Sequence, residues 1–247
     1  MNKLVKFELR NLFKQKSFLI CLLISTSLII IGILASNFLN KMAEQAGETD
    51  ILLGVNAFDS FMGYVAGGNL GLLLAISISI YFGAEASDGT IKNIIAKGYK
   101  RSEFFISKVI CVIIMTLVFI ITGLIFNYLM CMIMGIDLGS FDITKLGCVS
   151  LAVIAEATMF CSLSFIIFKT GANIVANICI PMLLPLALTL LDVLLKLKIT
   201  ISDFWIENTF TMFKHTSKLP IMVIISFCYI FLFSILGIAL TKRKEIK

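Results

Sequence analysis

The sequence predicts an all-α membrane protein with six transmembrane helices and both termini in the cytoplasm. Of its 247 residues, 59% are hydrophobic and 15% are charged, and the mean hydropathy of +1.02 is far above that of a soluble domain. Six apolar stretches reach the length of about 20 residues that a helix needs to cross a bilayer. Basic residues concentrate in alternate connections between these stretches, which predicts the orientation.

The six spans follow from apolar length, and their ends are the least certain part of the prediction. We place them at about 17–39, 62–83, 104–134, 146–168, 172–195 and 219–240. The connections are too short to hold a soluble domain, so residues 1–247 are predicted to form one transmembrane domain. The fourth and fifth spans lie so close along the chain that we expect a tight hairpin between them.

The basic residues predict the orientation because Lys and Arg are retained on the cytoplasmic side of a membrane. Most of the 21 basic residues precede the first span, follow the last, or lie in the two–three and four–five connections. The remaining connections carry more acids than bases. The net charge of +6 is therefore assigned to topology, and no nucleic-acid partner is expected.

Residues 1–16 are predicted to form an amphipathic helix on the inner leaflet. Apolar and basic residues occupy opposite sides of it, with Leu4, Val5, Leu9, Leu12 and Phe13 on one side and Lys3, Lys6, Arg10 and Lys14 on the other. A cationic face suits anionic lipid headgroups, so membrane lipid is an expected partner. A frayed basic tail is the alternative.

The connection between spans five and six carries aromatic residues among charges. Phe204, Trp205, Phe210 and Phe213 lie there. Aromatic rings with polar neighbours suit the membrane–water interface, so we expect one or two short extracellular helices. An ordinary surface loop is the alternative.

The seven cysteines predict no metal or redox site. All lie in or at the ends of apolar spans, no C-x-x-C pair occurs, and the single histidine, His215, adds no ligand cluster. We interpret the cysteines as free thiols that act as small hydrophobic residues. No cofactor is expected on this chain.

The second span carries a small residue at every fourth position. The stripe consists of Gly63, Gly67, Gly71, Ala75, Ser79 and Gly83. Small residues at this spacing allow helix backbones to approach closely inside a membrane. The sequence predicts close helix packing along this face, either with another helix of the chain or with a second copy.

Two features within later spans are candidates for function. Glu156 lies mid-span in the fourth helix, where an ionised carboxylate facing lipid would cost several kcal/mol. We expect it to face protein or a water-filled cavity, either as a structural hydrogen-bonding group or in the substrate path. Pro181 and Pro185 each remove a backbone donor from the fifth span and predict a kink there, which makes them hinge candidates.

The connection between spans two and three is the most patterned polar stretch in the chain. An acid ends the second span, two glycines bracket a short amphipathic helix over residues 90–96, and a basic residue precedes the third span. The residues that carry this pattern are Glu85, Asp88, Gly89, Thr90, Ile91, Ile94, Ile95, Gly98 and Arg101. A short helix held by two glycines under the membrane could dock into a groove on a cytosolic partner.

This pattern resembles the ABC-2 type permease family of bacterial plasma membranes. Its members have six spans and, after the second, an acid, a Gly-Thr pair, a short coupling helix and a basic residue. Glu85, Gly89, Thr90 and Arg101 match these positions, and Lys108 stands where the family often has lysine.

The resemblance implies that two permeases, identical or paralogous, pair and that each contacts a cytosolic ABC ATPase, with two ATPase copies per complex. ATP and Mg²⁺ would bind to the ATPase. Permeases of this size resemble those that export, or give immunity to, bacteriocins, bacitracin-like antibiotics or amphipathic peptides. The predicted function is therefore that of an exporter's transmembrane subunit, with an amphipathic peptide or another hydrophobic substrate.

Missing motifs agree with a non-enzymatic subunit. The sequence has no G-x-x-x-x-G-K-[ST] phosphate loop and no H-E-x-x-H or G-x-S-x-G pattern. A gradient-driven transporter or channel is the main alternative, although it usually has several intramembrane ionisable residues or an internal repeat. A non-transporting anchor or sensor subunit is the third possibility.

Overall fold

A computed structural model describes residues 2–46, 56–87, 94, 96–167, 169–195 and 200–243. Nine α-helices occur in these ranges: α1 (Asn2–Lys14), α2 (Lys16–Ala46), α3 (Ala57–Ala66), α4 (Asn69–Ser87), α5 (Arg101–Met134), α6 (Ile143–Ile166), α7 (Thr170–Leu195), α8 (Ile206–Thr209) and α9 (Leu219–Arg243). Three 3₁₀ turns, Ser202–Phe204, Phe210–Lys214 and Thr216–Lys218, flank α8. These ranges contain no β-strand.

Five helices are long and apolar enough to cross a membrane: α2, α5, α6, α7 and α9. The pair α3 and α4 passes the same test only when the two are taken together, and they are bent by 53° where they meet. The chain is a multi-pass membrane protein, and its described residues contain five continuous candidate spans and one bent helix pair that is either a broken span or a re-entrant loop.

We predicted the second span as one helix over 62–83, and this prediction was wrong because the segment is broken into α3 and α4. It begins earlier, at Ala57, where the Asn56 side chain accepts a hydrogen bond from the Asp59 N–H at 2.8 Å and caps α3. It then breaks at Gly67 and Gly68. Gly68 has φ of +75°, a left-handed conformation that glycine adopts without steric cost, so α3 ends and α4 starts in a new direction.

The break between α3 and α4 divides the stripe of small residues into a part on each helix. On α4 its residues face helices of the same chain: Gly71 lies against Glu156 of α6, Gly83 lies against the Thr170 side chain of α7, and Ser79 accepts a hydrogen bond from Asn177 of α7. At Gly63, on α3, an added Cβ would meet no atom within 4 Å. The α4 part of the stripe is thus occupied by intramolecular contacts.

The two prolines of α7 do not interrupt it. The helix runs from Thr170 to Leu195 through Pro181 and Pro185. Its far end is tied to the next segment by Asp192, whose two carboxylate oxygens accept hydrogen bonds from the N–H groups of Ile201 and Ser202 at 2.9 Å each. The segment after α7 is thereby held against the bundle, with Trp205 buried.

An aromatic cluster lies at the end of the helix bundle where α4 ends and α5 begins. We refer to this end of the bundle as the basic end. The Phe165 ring lies 5.0 Å from those of Phe82 and Phe105 and 5.9 Å from that of Phe104, measured between centroids. The Phe105 ring also occupies the space that a side chain at Gly237 of α9 would need. This packing brings α4, α5, α6 and α9 together.

We predict that Gly237→Ala lowers the free energy of unfolding by about 1–3 kcal/mol, the usual cost of overpacking a filled core. The new methyl group would overlap the Phe105 ring, which is 1% exposed and has no free volume to enter. Circular dichroism during titration with sodium dodecyl sulfate in mixed micelles measures the change. Gly147→Ala is the matched control because a Cβ there meets nothing within 4 Å. Equal effects of the two substitutions would contradict the packing described here.

Candidate functional site

Four buried polar residues form an ion cluster at the basic end: Glu8, Tyr81, Glu85 and Lys108. The Lys108 Nζ lies 2.5 Å from Glu8 Oε2 and also contacts Glu85 Oε2. The Tyr81 hydroxyl donates a hydrogen bond to the same Glu8 oxygen at 2.8 Å. Glu8 and Lys108 are 0% exposed. Because water does not reach the ammonium, its charge is balanced by these carboxylates alone.

Three separate elements supply the ion cluster. Glu8 lies on α1 one turn from both Leu4 and Leu12, and all three side chains are buried against the bundle. Glu85 lies in the last turn of α4, and Lys108 lies two turns into α5. The cluster therefore joins the amino-terminal helix to both sides of the two–three connection.

Aromatic rings surround the lysine. The Lys108 Nζ lies 4.0 Å from the centroid of the Tyr81 ring, 5.4 Å from that of Phe104 and 5.6 Å from that of Phe82. Ring faces attract a desolvated cation, each by about 0.5–2 kcal/mol. The rings also exclude water, so the charges of the ion cluster interact strongly.

The other residues of the coupling pattern are described only in part. Ile94 is buried, Gly98 has φ of +87°, in the left-handed region that favours glycine, and Arg101 is the first residue of α5 and partly buried. The remaining predicted coupling residues, Asp88, Gly89, Thr90, Ile91 and Ile95, lie outside the described residues.

A second polar site lies beside the break between α3 and α4. It is a cavity of about 320 Å³ bounded by α4, α6, α7 and the segment around α8, and we refer to it as the Glu156 cavity. Its polar and proline lining includes Asn69, Glu156, Asn177, Pro181, Glu207 and Asn208. Pro185, one turn further along α7, is not among its lining residues. The break at Gly67 and Gly68 forms part of the wall.

Glu156 is the deepest polar group in the Glu156 cavity, with 1% of its surface exposed. A Cβ at Gly71 would lie 2.5 Å from Glu156 Oε1, so a side chain at position 71 would displace the Glu156 carboxyl group from this position. Across the cavity, burial raises the pKa of Glu207 above its ordinary value. Two acidic groups therefore line one largely apolar space.

The comparison with protein families shows to which family of membrane proteins the chain belongs. The family model described as ABC-2 family transporter protein matches residues 4–191, about three quarters of the chain. The chain belongs to the ABC-2 transporter family. A comparison with curated protein sequences returned no match. Members of this family are transmembrane permease subunits that work, in general, with an ABC ATPase partner.

Within this permease, the ion cluster lies entirely inside the matched residues, whereas Glu207 lies beyond them. In the described part of the chain, no group of three or more His, Cys, Asp or Glu side chains has the arrangement of a metal site.

Sequence reasoning did not find Glu8. It assigned the charged residues of α1 to the lipid headgroups, yet Glu8 is the one acid of that helix and stands at i+4 from Leu4 and i−4 from Leu12. An acid within the apolar stripe of a basic helix is a signal for a buried partner. Glu207 had no comparable signal, because acids are common in the connections of this permease.

We predict that Lys108→Met destabilises the permease by about 3–5 kcal/mol, because it leaves two carboxylates buried without a cation. Glu85→Gln should cost less, since Glu8 and Lys108 remain as a neutral pair. Unfolding in mixed micelles measures both. Lys97→Met, at an exposed lysine in the same connection, is the control. If Lys108→Met were no worse than Lys97→Met, the ion cluster would not be a stabilising element.

Proposed function

We propose that this permease is the transmembrane subunit of an ATP-driven ABC exporter, and that the ion cluster couples it to its ATPase. The observation that carries the proposal is that Glu85 and Lys108 contact each other across the two–three connection, with Glu8 of α1 bound to the same lysine. The connection to which the family resemblance assigns ATPase docking therefore begins and ends at one buried set of charges.

The geometry supports coupling through a rigid unit. A force on the connection reaches α4 and α5 together, because the Glu85–Lys108 contact joins them next to the membrane surface. The same force reaches α1, because Glu8 would otherwise lose its cation in an apolar environment. Nucleotide-driven movement of the ATPase would then shift α4, and with it the wall of the Glu156 cavity, as one body.

The partners in this proposal are two cytosolic ABC ATPase subunits, which hold ATP and Mg²⁺, and a second permease that is a copy or a paralogue. The basic end faces the cytoplasm, as the distribution of Lys and Arg indicates. Large apolar faces of α2, α7 and α9 are exposed and offer surfaces for lipid and for the second permease. Examples are Leu23, Phe38, Leu183, Leu194 and Phe231.

The proposed substrate is an amphipathic peptide, a peptide antibiotic or another hydrophobic molecule, moved out of the cell or out of the inner leaflet. The Glu156 cavity supports this class because most of its lining is apolar, with a few polar groups that could orient a ligand. Its position on α4 connects it to the ion cluster through a single helix.

The test is to co-express the permease with each ABC ATPase subunit of its cell, purify any complex in lipid, and measure ATP hydrolysis with and without amphipathic peptides. We predict a stable complex whose hydrolysis rate responds to peptide. Glu8→Gln should reduce that response several-fold, because α1 and the connection lose their shared anchor. Asp137→Asn changes an exposed acid far from the basic end, so the hydrolysis rate of its complex should respond to peptide as that of the wild type does.

Failure of the permease to associate with any ABC ATPase would contradict the exporter proposal. It would favour a gradient-driven transporter in which Glu156 carries the coupling ion. An intact complex in which Glu8→Gln and Asp137→Asn respond alike would retain the exporter but remove the coupling role of the ion cluster.

A further inference from the structure

The Glu156 cavity differs from the ion cluster in that none of its described lining residues supplies a cation to its acids. We propose that it binds the primary ammonium group of an amphipathic cation, with Glu156 and Glu207 as counter-charges and the apolar wall holding the attached chain. This inference deepens the proposed function, on which it rests for the identity of the ligand as a substrate.

Two buried acceptors point to a ligand that donates hydrogen bonds. Among the described residues, Glu156 Oε2 and Asn177 Oδ1 are inaccessible to water and have no hydrogen-bond partner. Both residues line the cavity. Leaving a buried acceptor unpaired costs about 1–3 kcal/mol, and more when the acceptor is charged, so an occupant with several N–H donors is favoured.

The orientation of Asn177 is set by its neighbours. Its amide nitrogen, which carries two hydrogens, lies within hydrogen-bonding distance of three acceptors: Ser79 Oγ at 2.8 Å, Ser164 Oγ at 3.1 Å and Asn173 Oδ1 at 3.2 Å. The two serine hydroxyls donate to carbonyl groups of their own helices, so they are acceptors toward Asn177. Turning the amide over would place its oxygen among acceptors, which leaves Oδ1 as the free acceptor.

The charge balance points to a cation. The described residues that line the cavity include Glu156 and Glu207 but no Lys, Arg or His. At the basic end, by contrast, the buried acids Glu8 and Glu85 share Lys108. The ion cluster therefore has its own cation, whereas the described lining of the cavity supplies none to buried Glu156 and partly buried Glu207, and an external cation would balance these two acids.

The remaining lining favours an organic ammonium ion over an inorganic one. Leu72, Ile178, Met182 and Phe160 form an apolar wall that an alkyl chain can contact, whereas an inorganic ion would use only the polar side chains of the cavity. Leu72 and Met182 are 43% and 60% exposed, so the cavity opens sideways between α4 and α7. An alkyl chain could lie in that opening while its ammonium group reaches Glu156.

The closing experiment measures binding of radiolabelled hexylammonium to the purified permease in phosphatidylcholine nanodiscs, with empty nanodiscs subtracted. We expect saturable binding that Glu156→Gln weakens by more than about tenfold, as loss of a buried charge partner does. Glu207→Gln should weaken it less, since that side chain is only partly buried. Gly71→Ala should also weaken it, because the added methyl group displaces Glu156.

Gly63→Ala is the matched control, since it adds the same methyl group to the same stripe in open space. Fluorescence of Trp205, the chain's one tryptophan, and size-exclusion chromatography confirm that each variant is folded. If Glu156→Gln does not fold, Glu207→Gln and Gly71→Ala still decide the outcome. No ATPase is present, so failure here leaves the exporter proposal standing, and failure of the exporter test leaves the binding result standing.

Unlabelled hexanol and KCl should not displace the label, because one lacks the charge and the other lacks the chain and the donors. Displacement by either, binding no greater than in empty nanodiscs, or equal binding by Glu156→Gln and Gly63→Ala would overturn the proposal. Displacement by a lysine-containing amphipathic peptide, but not by its acetylated form, would assign the ammonium to a peptide. Loss of hexylammonium binding when phosphatidylethanolamine replaces phosphatidylcholine would assign the ammonium group of the ligand to a lipid headgroup.

Discussion

A buried lysine with two carboxylates sets the geometry of one end of this permease. The Lys108 ammonium cannot leave its site for water, because it is 0% exposed and enclosed by aromatic rings. It must therefore keep its acids, and these come from two other elements. Removing either α1 or the end of α4 from the bundle would take one carboxylate away from the buried Lys108 ammonium. Removing a partner from a buried ion pair is strongly destabilising. The position of α1 is thus determined by charge as well as by its apolar face.

The other half of α4 is built on a different principle. There the helix is broken from α3 at two glycines, its small residues allow close approach of α6, and a carboxylate fills the space that a side chain at Gly71 would occupy. Ion pairing and tight aromatic packing favour a rigid basic end. A cavity whose lining acids have no cation among the described residues favours an end that changes with its contents. One helix, α4, contributes residues to both, so the two sites share a single rigid element.

Hydropathy alone predicted an all-helical membrane protein and placed the ends of most apolar helices within a few residues, because bilayer thickness demands long apolar runs. It could not predict the break in the second span. Glycine at every fourth position suits a straight close-packed helix and a broken one equally, and the choice depends on the left-handed turn at Gly68. The pairing of Glu8 with Lys108 was also hidden, since 100 residues separate them and only the fold brings them together. Glu156 was expected to face protein or a cavity, and it lines one.

The boundary of the family match divides the lining of the Glu156 cavity and leaves the ion cluster whole. Residues 4–191 contain the whole ion cluster and Glu156, whereas Glu207 belongs to the segment that follows α7. That segment is held to the bundle by Asp192, through two backbone hydrogen bonds, and by burial of Trp205, not through the ion cluster. Substitutions at position 207 would therefore change the charge that faces Glu156 while leaving the coupling charges untouched. Under the proposed function, such a division would let substrate preference vary independently of the coupling to the ATPase.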